Sequence, residues 1–422
     1  MAERPRRLGM VATLLAGAAI VSPFAAPAQT SNTGGRSHAA SAQGKAGGKA
    51  GGDMGAEPIR DYPKLTVDTL ANLEFSGLAA SSGPSRGPQP YLRFDTTLAL
   101  DTSPDLTFYG LFQFKARQPR PADDPNRDLF INQGAGRRVG GKFKELYVRY
   151  QTWRVGKFVQ NFGRTYVLLP GPFAADFVEE PDQGYEPSEM IGVEKLHVFG
   201  SERYGWQQLT VSAFMVDRTF LHRSLPYDEG QIHYKDGGIG NTHLPTNVMV
   251  TYDVLNMPVG HGAQASFQAS AIRWGKSYRD ERGEFWTTLG GDIAIPLSGS
   301  VRSTLQRRYS QLHFYVEGAR RANFQGTIGR DRNYVSESAE LLTGPWVTDL
   351  TATQRWTTDP VMPTQRDSIY TATLGYNFPS QSLVSLSVAR ERVGDRAGVY
   401  AGLRLTQTLT TCSRCQTRGR AY

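Results

Sequence analysis

From about residue 64 to residue 410 the chain runs in short segments whose apolar and polar residues alternate. In Tyr91–Asp101, Leu92, Phe94, Leu98 and Leu100 fall on one face, and Tyr91, Arg93, Asp95, Thr97 and Asp101 on the other. A period of two is the repeat of a β-strand, and none of these apolar runs reaches the length of a transmembrane helix. The same pattern predicts fifteen strands. Five lie before residue 163, among them Leu65–Leu78, Leu106–Arg117, Lys144–Gln151 and Trp153–Phe162, and the others include Gln207–Val216, Leu312–Ala319, Val347–Trp356 and Val399–Leu409.

Strands with one apolar and one polar face, repeated over such a length, close most economically into a barrel that is apolar outside and polar inside. The fold class predicted is therefore all-β, a transmembrane antiparallel β-barrel. Dividing ~350 residues by ~22 for a strand with its share of turn and loop gives about sixteen strands, with ~14 or ~18 as neighbouring solutions. Single-chain barrels of bacteria close on an even number. The pattern places the missing strand in Ser298–Gln311, around Val301–Tyr309. A barrel of that width is too wide for side chains to fill and should hold an aqueous channel. Short turns such as Thr102–Asp105 alternate with long polar loops such as 118–141, as at the two ends of a membrane barrel.

The N-terminus sets the compartment. Arg4, Arg6 and Arg7 precede the apolar stretch Leu8–Phe24, and Ala26-Pro27-Ala28 supplies the small residues of a cleavage site before Gln29. Residues 1–28 are read as a signal peptide. Residues 29–62, rich in Gly, Ala, Ser and Lys, are read as a disordered periplasmic leader, 63–410 as the barrel and 411–422 as a polar tail. The formal charge of +8 then loses its meaning as a ligand signal, because the signal carries +2, residues 30–60 carry +2 and the tail +3. The remainder is +1, which gives no reason to expect nucleic acid as a partner. A mean hydropathy of −0.42 argues against a helical membrane protein but not against a barrel, in which only alternate strand residues meet lipid.

The most specific local signal is Trp153-Arg154-Val155-Gly156-Lys157-Phe158 followed by Asn161-Phe162-Gly163-Arg164 and a long segment reaching Ile191-Gly192-Val193. It resembles the Gram-negative porins, in which such a strand end leads into a long third loop folded into the barrel. The resemblance covers about forty residues in detail and the rest as pattern. It implies a long inward-folded loop, a passive outer-membrane channel for small hydrophilic solutes or ions, and contact with outer-membrane lipid and lipopolysaccharide. A homotrimer is left open as its assembly.

That segment carries Asp176, Glu179, Glu180, Asp182, Glu186 and Glu189 with no Lys or Arg among them. Carboxylates at a constriction favour a passing cation over an anion. The alternative is an acidic, solvated surface loop. Phe173, Phe177, Val178, Tyr185 and Met190 supply apolar contacts for packing against an inner wall. A facing basic wall is expected from the lumen-phase residues Arg93, Lys115, Arg117 and Arg149, with Arg307, Arg308 and Arg321 near the unresolved strand as further candidates.

Cys412 and Cys415, placed in the tail, are spaced for a small local disulfide, and neither a zinc nor a redox role finds partners. The seven histidines show no ligand spacing, and no nucleophile, P-loop or zinc-protease motif occurs, so no enzyme, cofactor or metal site is expected. A substrate-specific or export channel is the nearest alternative function. A secreted β-rich binding or structural protein is the alternative of another class.

Overall fold

The computed structural model describes residues 62–81, 89–117, 139–169, 173, 184–187, 189–201, 204–223, 231–278, 280–298 and 310–412. The proposed signal peptide and leader, Asp176, Glu179, Glu180, Asp182, Arg307, Arg308, Cys415 and the side chain of Arg117 lie outside them.

Sixteen strands follow one another: β1 (Lys64–Ser81), β2 (Gln89–Asp101), β3 (Leu106–Arg117), β4 (Val139–Tyr150), β5 (Trp153–Phe158), β6 (Met190–Ser201), β7 (Gly205–Val216), β8 (Asn247–Gly260), β9 (Ala263–Arg273), β10 (Phe285–Ser298), β11 (Ser310–Ala322), β12 (Asp331–Thr343), β13 (Trp346–Thr358), β14 (Gln365–Asn377), β15 (Ser382–Val393) and β16 (Arg396–Cys412). Each pairs antiparallel with its neighbours in the sequence, and β1 pairs with β16, so the sheet is a closed barrel without an edge. Closure lets the strands pair their backbone groups within the sheet, the condition for crossing a hydrocarbon layer that offers no hydrogen bonds, although the short β5 pairs with β4 only over Leu146–Tyr150.

Alternation sorts the side chains. On β13, Val347, Asp349, Thr351, Thr353, Arg355 and Thr357 are buried towards the interior, whereas Trp346, Leu350 and Gln354 are exposed on the outside. On β1, Glu74 and Ser76 are buried and Phe75 is exposed. Leu98, Phe108, Leu146, Val316, Leu374, Leu386 and Leu403 likewise face outward and are exposed. At the end of the short turns an aromatic cluster marks the rim, with Trp346 and Tyr376 ring centroids 4.9 Å apart and Tyr376 and Phe378 4.8 Å apart. Such a belt flanking an apolar band is the outer surface of a transmembrane barrel.

Three details differ from the sequence reading. The strand absent from the fifteen is β12, Asp331–Thr343, and residues 301–309 lie outside the described residues. The outward positions of β12 are Asn333, Val335, Glu337, Ala339 and Leu341, of which only Val335 and Leu341 are large and apolar, so the alternation is muted. β5 stops at Phe158 instead of Phe162, because the chain leaves the wall there. Gln160 and Phe162 turn to the interior, where Gln160 Oε1 accepts from Ser212 Oγ at 2.7 Å and the Phe162 ring lies 5.9 Å from Trp286. Cys412 is the last residue of β16, opposite Thr66, and does not lie beyond the strand.

Leu350 is 60% exposed, close to the middle of β13 on its outer face. Leu350→Arg should cost ~2–4 kcal/mol in a bilayer. Refolding yield into lipid vesicles measures it; unchanged assembly would remove lipid from that face.

Candidate functional site

Beyond β5, the described residues of the segment that leads to β6 are held by side chains of the inner wall. Glu317, on the inner face of β11 and 1% exposed, is the main attachment. Its Oε2 accepts from the Arg164 backbone N–H at 2.6 Å, and its Oε1 from Thr165 Oγ1 at 2.5 Å and Tyr185 Oη at 2.7 Å. Thr165 Oγ1 also lies 2.9 Å from Tyr315 Oη. Gly163 permits the approach: it has φ +71°, and a Cβ there would lie 2.9 Å from Glu317 Oε1. Burial, reinforced by the Glu317 charge, raises the Tyr185 phenol well above its ordinary pKa, so it remains a donor.

Further attachments surround this one. The Arg164 guanidinium reaches Asp292 on β10 at 2.5 Å, and Asp292 also meets His313 Nε2 at 3.2 Å. Asn161 donates to Asp253 at 2.8 Å and accepts from Gln268 at 3.1 Å. Arg321, fully buried, donates to the Gly184 carbonyl at 2.5 Å and pairs with Glu284 at 3.1 Å, its guanidinium 4.4 Å from the Trp286 ring centre. Phe162 and Tyr185 belong to an inner apolar cluster with Phe214, Ile272, Trp274, Trp286 and Tyr334. Phe173 instead packs on Ile369, Ala389 and Tyr400 of β14–β16, where a Cβ on Gly402 would come within 2.8 Å of its ring. The described residues of one segment thus touch both the β7–β12 and the β14–β16 parts of the wall.

The two described acids of the segment lie at its exit. Glu189 pairs with Lys142, with His222 Nδ1 at 3.0 Å and with Lys157 at 3.7 Å; Lys157, fully buried, also meets Asp217 at 2.9 Å. Glu186 is 3.8 Å from Lys144. Burial raises the Glu189 carboxyl, but Lys142, His222 and Lys157 together outweigh it and hold the carboxyl well below its ordinary pKa.

Of the basic residues named from the sequence, Arg93 is bound at 2.6 Å to Asp95, which also accepts from Gln113 at 2.8 Å. Arg149 donates to Thr107 Oγ1 at 3.0 Å, and Lys115 is exposed at the long-loop end of β3. The arginines most engaged in the interior are others. Arg332 donates to Thr357 at 2.8 Å and Arg355 to Asp367 at 2.7 Å, beside Arg321 on adjacent strands. Period-two phase could have indicated Arg355 within its predicted strand; Arg332 was hidden with β12.

No protein-family model and no curated protein matches the chain. Solved structures do. OprB of Pseudomonas putida at high pH is 10% identical, with a TM-score of 0.57 over 83% of this chain and 95% of that one. The fold is that of the Gram-negative porin-like outer-membrane barrels. The outer membrane channel DcaP of Acinetobacter baumannii is 12% identical, covering 82% of this chain and 96% of its own, with a TM-score of 0.47. OmpT of Vibrio cholerae in its trimer form is 9% identical, covering 82% and 99%, with a TM-score of 0.45. Within this barrel fold the interior attachments of the described residues between 159 and 189 are the chain's own chemistry and follow from no shared sequence.

Two outcomes test these attachments. Glu317→Gln keeps the size of the side chain but puts an amide N–H among the donors that Glu317 accepts from, so it should lower stability by ~1–3 kcal/mol in urea unfolding. An unchanged midpoint would deny Glu317 its anchoring role. Because folding makes Glu189 the stronger acid, its contribution is complete above the ordinary carboxyl range near pH ~4.3 and is lost as pH falls through the depressed value. Thermal unfolding followed down to low pH should show a steeper loss in the native chain than in Glu189→Gln.

Proposed function

We propose that the chain is a passive outer-membrane channel for small hydrophilic solutes or ions, narrowed by the segment between β5 and β6. The observation that carries this reading is the attachment of that segment to lumen-facing Glu317, Arg321 and the wall around Phe173, inside a sixteen-strand barrel wide enough to hold water. In this reading the short turns lie in the periplasm and the outer apolar band lies in lipid, which disfavours a secreted soluble binder.

The described residues of the segment attach mainly to the β7–β12 wall and, at Phe173, to β14–β16, so the proposed passage runs along β1–β4, where Arg93, Lys115 and Arg149 face inward. Asp176, Glu179, Glu180 and Asp182 then line the opposite side of the opening, and the transverse field separates cations from anions. The chemistry is passage, not catalysis: His313 is engaged by Asp292, and His197 lies on the outer face, 5.5 Å from the Phe199 ring.

Vesicles containing the purified protein should swell in isosmotic small sugars and not in large oligosaccharides. In planar bilayers, neutralising Asp176, Glu179, Glu180 and Asp182 to Asn and Gln should move the reversal potential towards anion preference. The shift should fade at high salt, as the Debye length falls from ~10 Å at 0.1 M to ~3 Å at 1 M. An unmoved reversal potential in low salt would return the four acids to a solvated surface loop.

A further inference from the structure

The outer apolar band is interrupted at the middle of β12. Glu337, the central residue of that strand, is exposed on the outer face and has no hydrogen bond or ion pair among the described residues. Its register partners are Val316 and Ala352, and its diagonal neighbours are Phe314, Gly318, Leu350 and Gln354, none of them positively charged. A carboxylate turned to hydrocarbon without a partner is costly, and ionisable groups at membrane depth pair with other groups.

The same outer face carries donors. Tyr370, exposed on β14, accepts a long hydrogen bond of 3.4 Å from Gln354 Nε2, so its own O–H has no acceptor among the described residues. Ala352 on β13 is in register with both Glu337 and Tyr370, and Arg390, exposed on β15, is in register with Tyr370. The acceptor therefore stands on one side of β13, and the hydroxyl donor and a positive charge stand on the other. Shape follows the same division. Leu350, prominent on β13, is flanked in register by Ala339 and Ala372, which leave a shallow flank on either side of it.

We propose that this face joins two copies of the chain about a twofold axis that runs parallel to the barrel axis, past β13. A twofold contact is self-complementary, so β12 of one copy meets β14 of the other. Glu337 then accepts from Tyr370 of the second copy and lies towards the second copy's Arg390, and the reciprocal pair forms across the axis. The small side chains of Ala339, Ala352 and Ala372 let the two walls approach, and Leu350 of each copy fills a flank of the other. The face meets lipid in the single barrel and protein in the pair. The contact is independent of passage and would form between barrels that conduct nothing.

The test places one cysteine at the axis of the full-length barrel, in a chain carrying Cys412→Ser and Cys415→Ser and inserted in lipid vesicles. A short bifunctional thiol reagent should join Ala352→Cys into dimers and leave Leu289→Cys, 67% exposed on the outer face of β10, as monomers. Absence of the Ala352→Cys dimer, as for a face covered by lipid alone or for copies arranged head to tail in a cyclic trimer, overturns the proposal, and so does equal cross-linking at the two positions. In the Ala352→Cys background, Glu337→Leu gives lipid an apolar side chain, so the barrel should fold and keep its heat-modifiable migration, and Tyr370→Phe removes only the hydroxyl. Each should lower the dimer yield at limiting protein roughly tenfold, two hydrogen bonds being lost per pair. An unchanged yield in Glu337→Leu denies the contact its acceptor. Sedimentation in mild detergent repeats the comparison without any cysteine: the native chain should be a pair at a concentration where Glu337→Leu is single, and equal masses contradict the proposal.

Discussion

Everything in this molecule depends on the closure of its sheet. A strand in hydrocarbon cannot leave a backbone group unpaired, so the first and last strands must find each other across the whole length of the chain, as Asn72 and Thr406 do, joined also by a hydrogen bond of 2.7 Å between their side chains. Once the ring is closed, each strand has one lipid face and one interior face, and the period-two sequence assigns every side chain to one of them. The polar and charged side chains then collect on the inside, where pairs such as Arg355–Asp367 and Arg404–Glu74 lie between adjacent or facing strands.

The interior of a sixteen-strand ring is too wide for wall side chains alone to fill, and described residues of the chain between β5 and β6 occupy part of it. Glu317 is the principal means. A carboxylate buried at 1% exposure is costly unless its oxygens are satisfied, and it is satisfied here by groups from both ends of the inserted stretch, Arg164 and Thr165 on one side and Tyr185 on the other. The apolar cluster around Trp274 and Trp286 gives the same stretch a small dry core on one side of the barrel. Attachment by several buried hydrogen bonds and an aromatic cluster fits a fixed restriction better than a loop that swings.

Most of the fold was legible because alternation is imposed by lipid on one side and water on the other. Leu98 and Phe108, Leu146 and Val148, Tyr370 and Leu374 all fall on the outside as their phase requires. β12 was hidden because Glu337 and Ala339 stand at outward positions where Leu or Val would have completed the pattern. The extent of β5 was misread since Phe162 continues the apolar rhythm of the strand while packing inside the barrel, a change of environment that periodicity cannot signal. For the interior, phase tells which way Arg93 or Arg321 points but not what it meets. The pairing of Arg93 with Asp95 is local and could be guessed, whereas that of Arg321 with the Gly184 carbonyl joins residues 137 positions apart and needs the closed ring to exist.

The central claim, that residues 159–189 narrow a water-filled barrel, is tested most directly by single-channel conductance in planar bilayers after replacing residues 174–183 with a short Gly-Ser linker that leaves Glu317, Arg164, Phe173 and Tyr185 in place. The expected result is discrete openings in the native protein and a larger unitary conductance in the shortened one. An equal conductance would contradict the restriction, and a native barrel without any openings would contradict the channel itself.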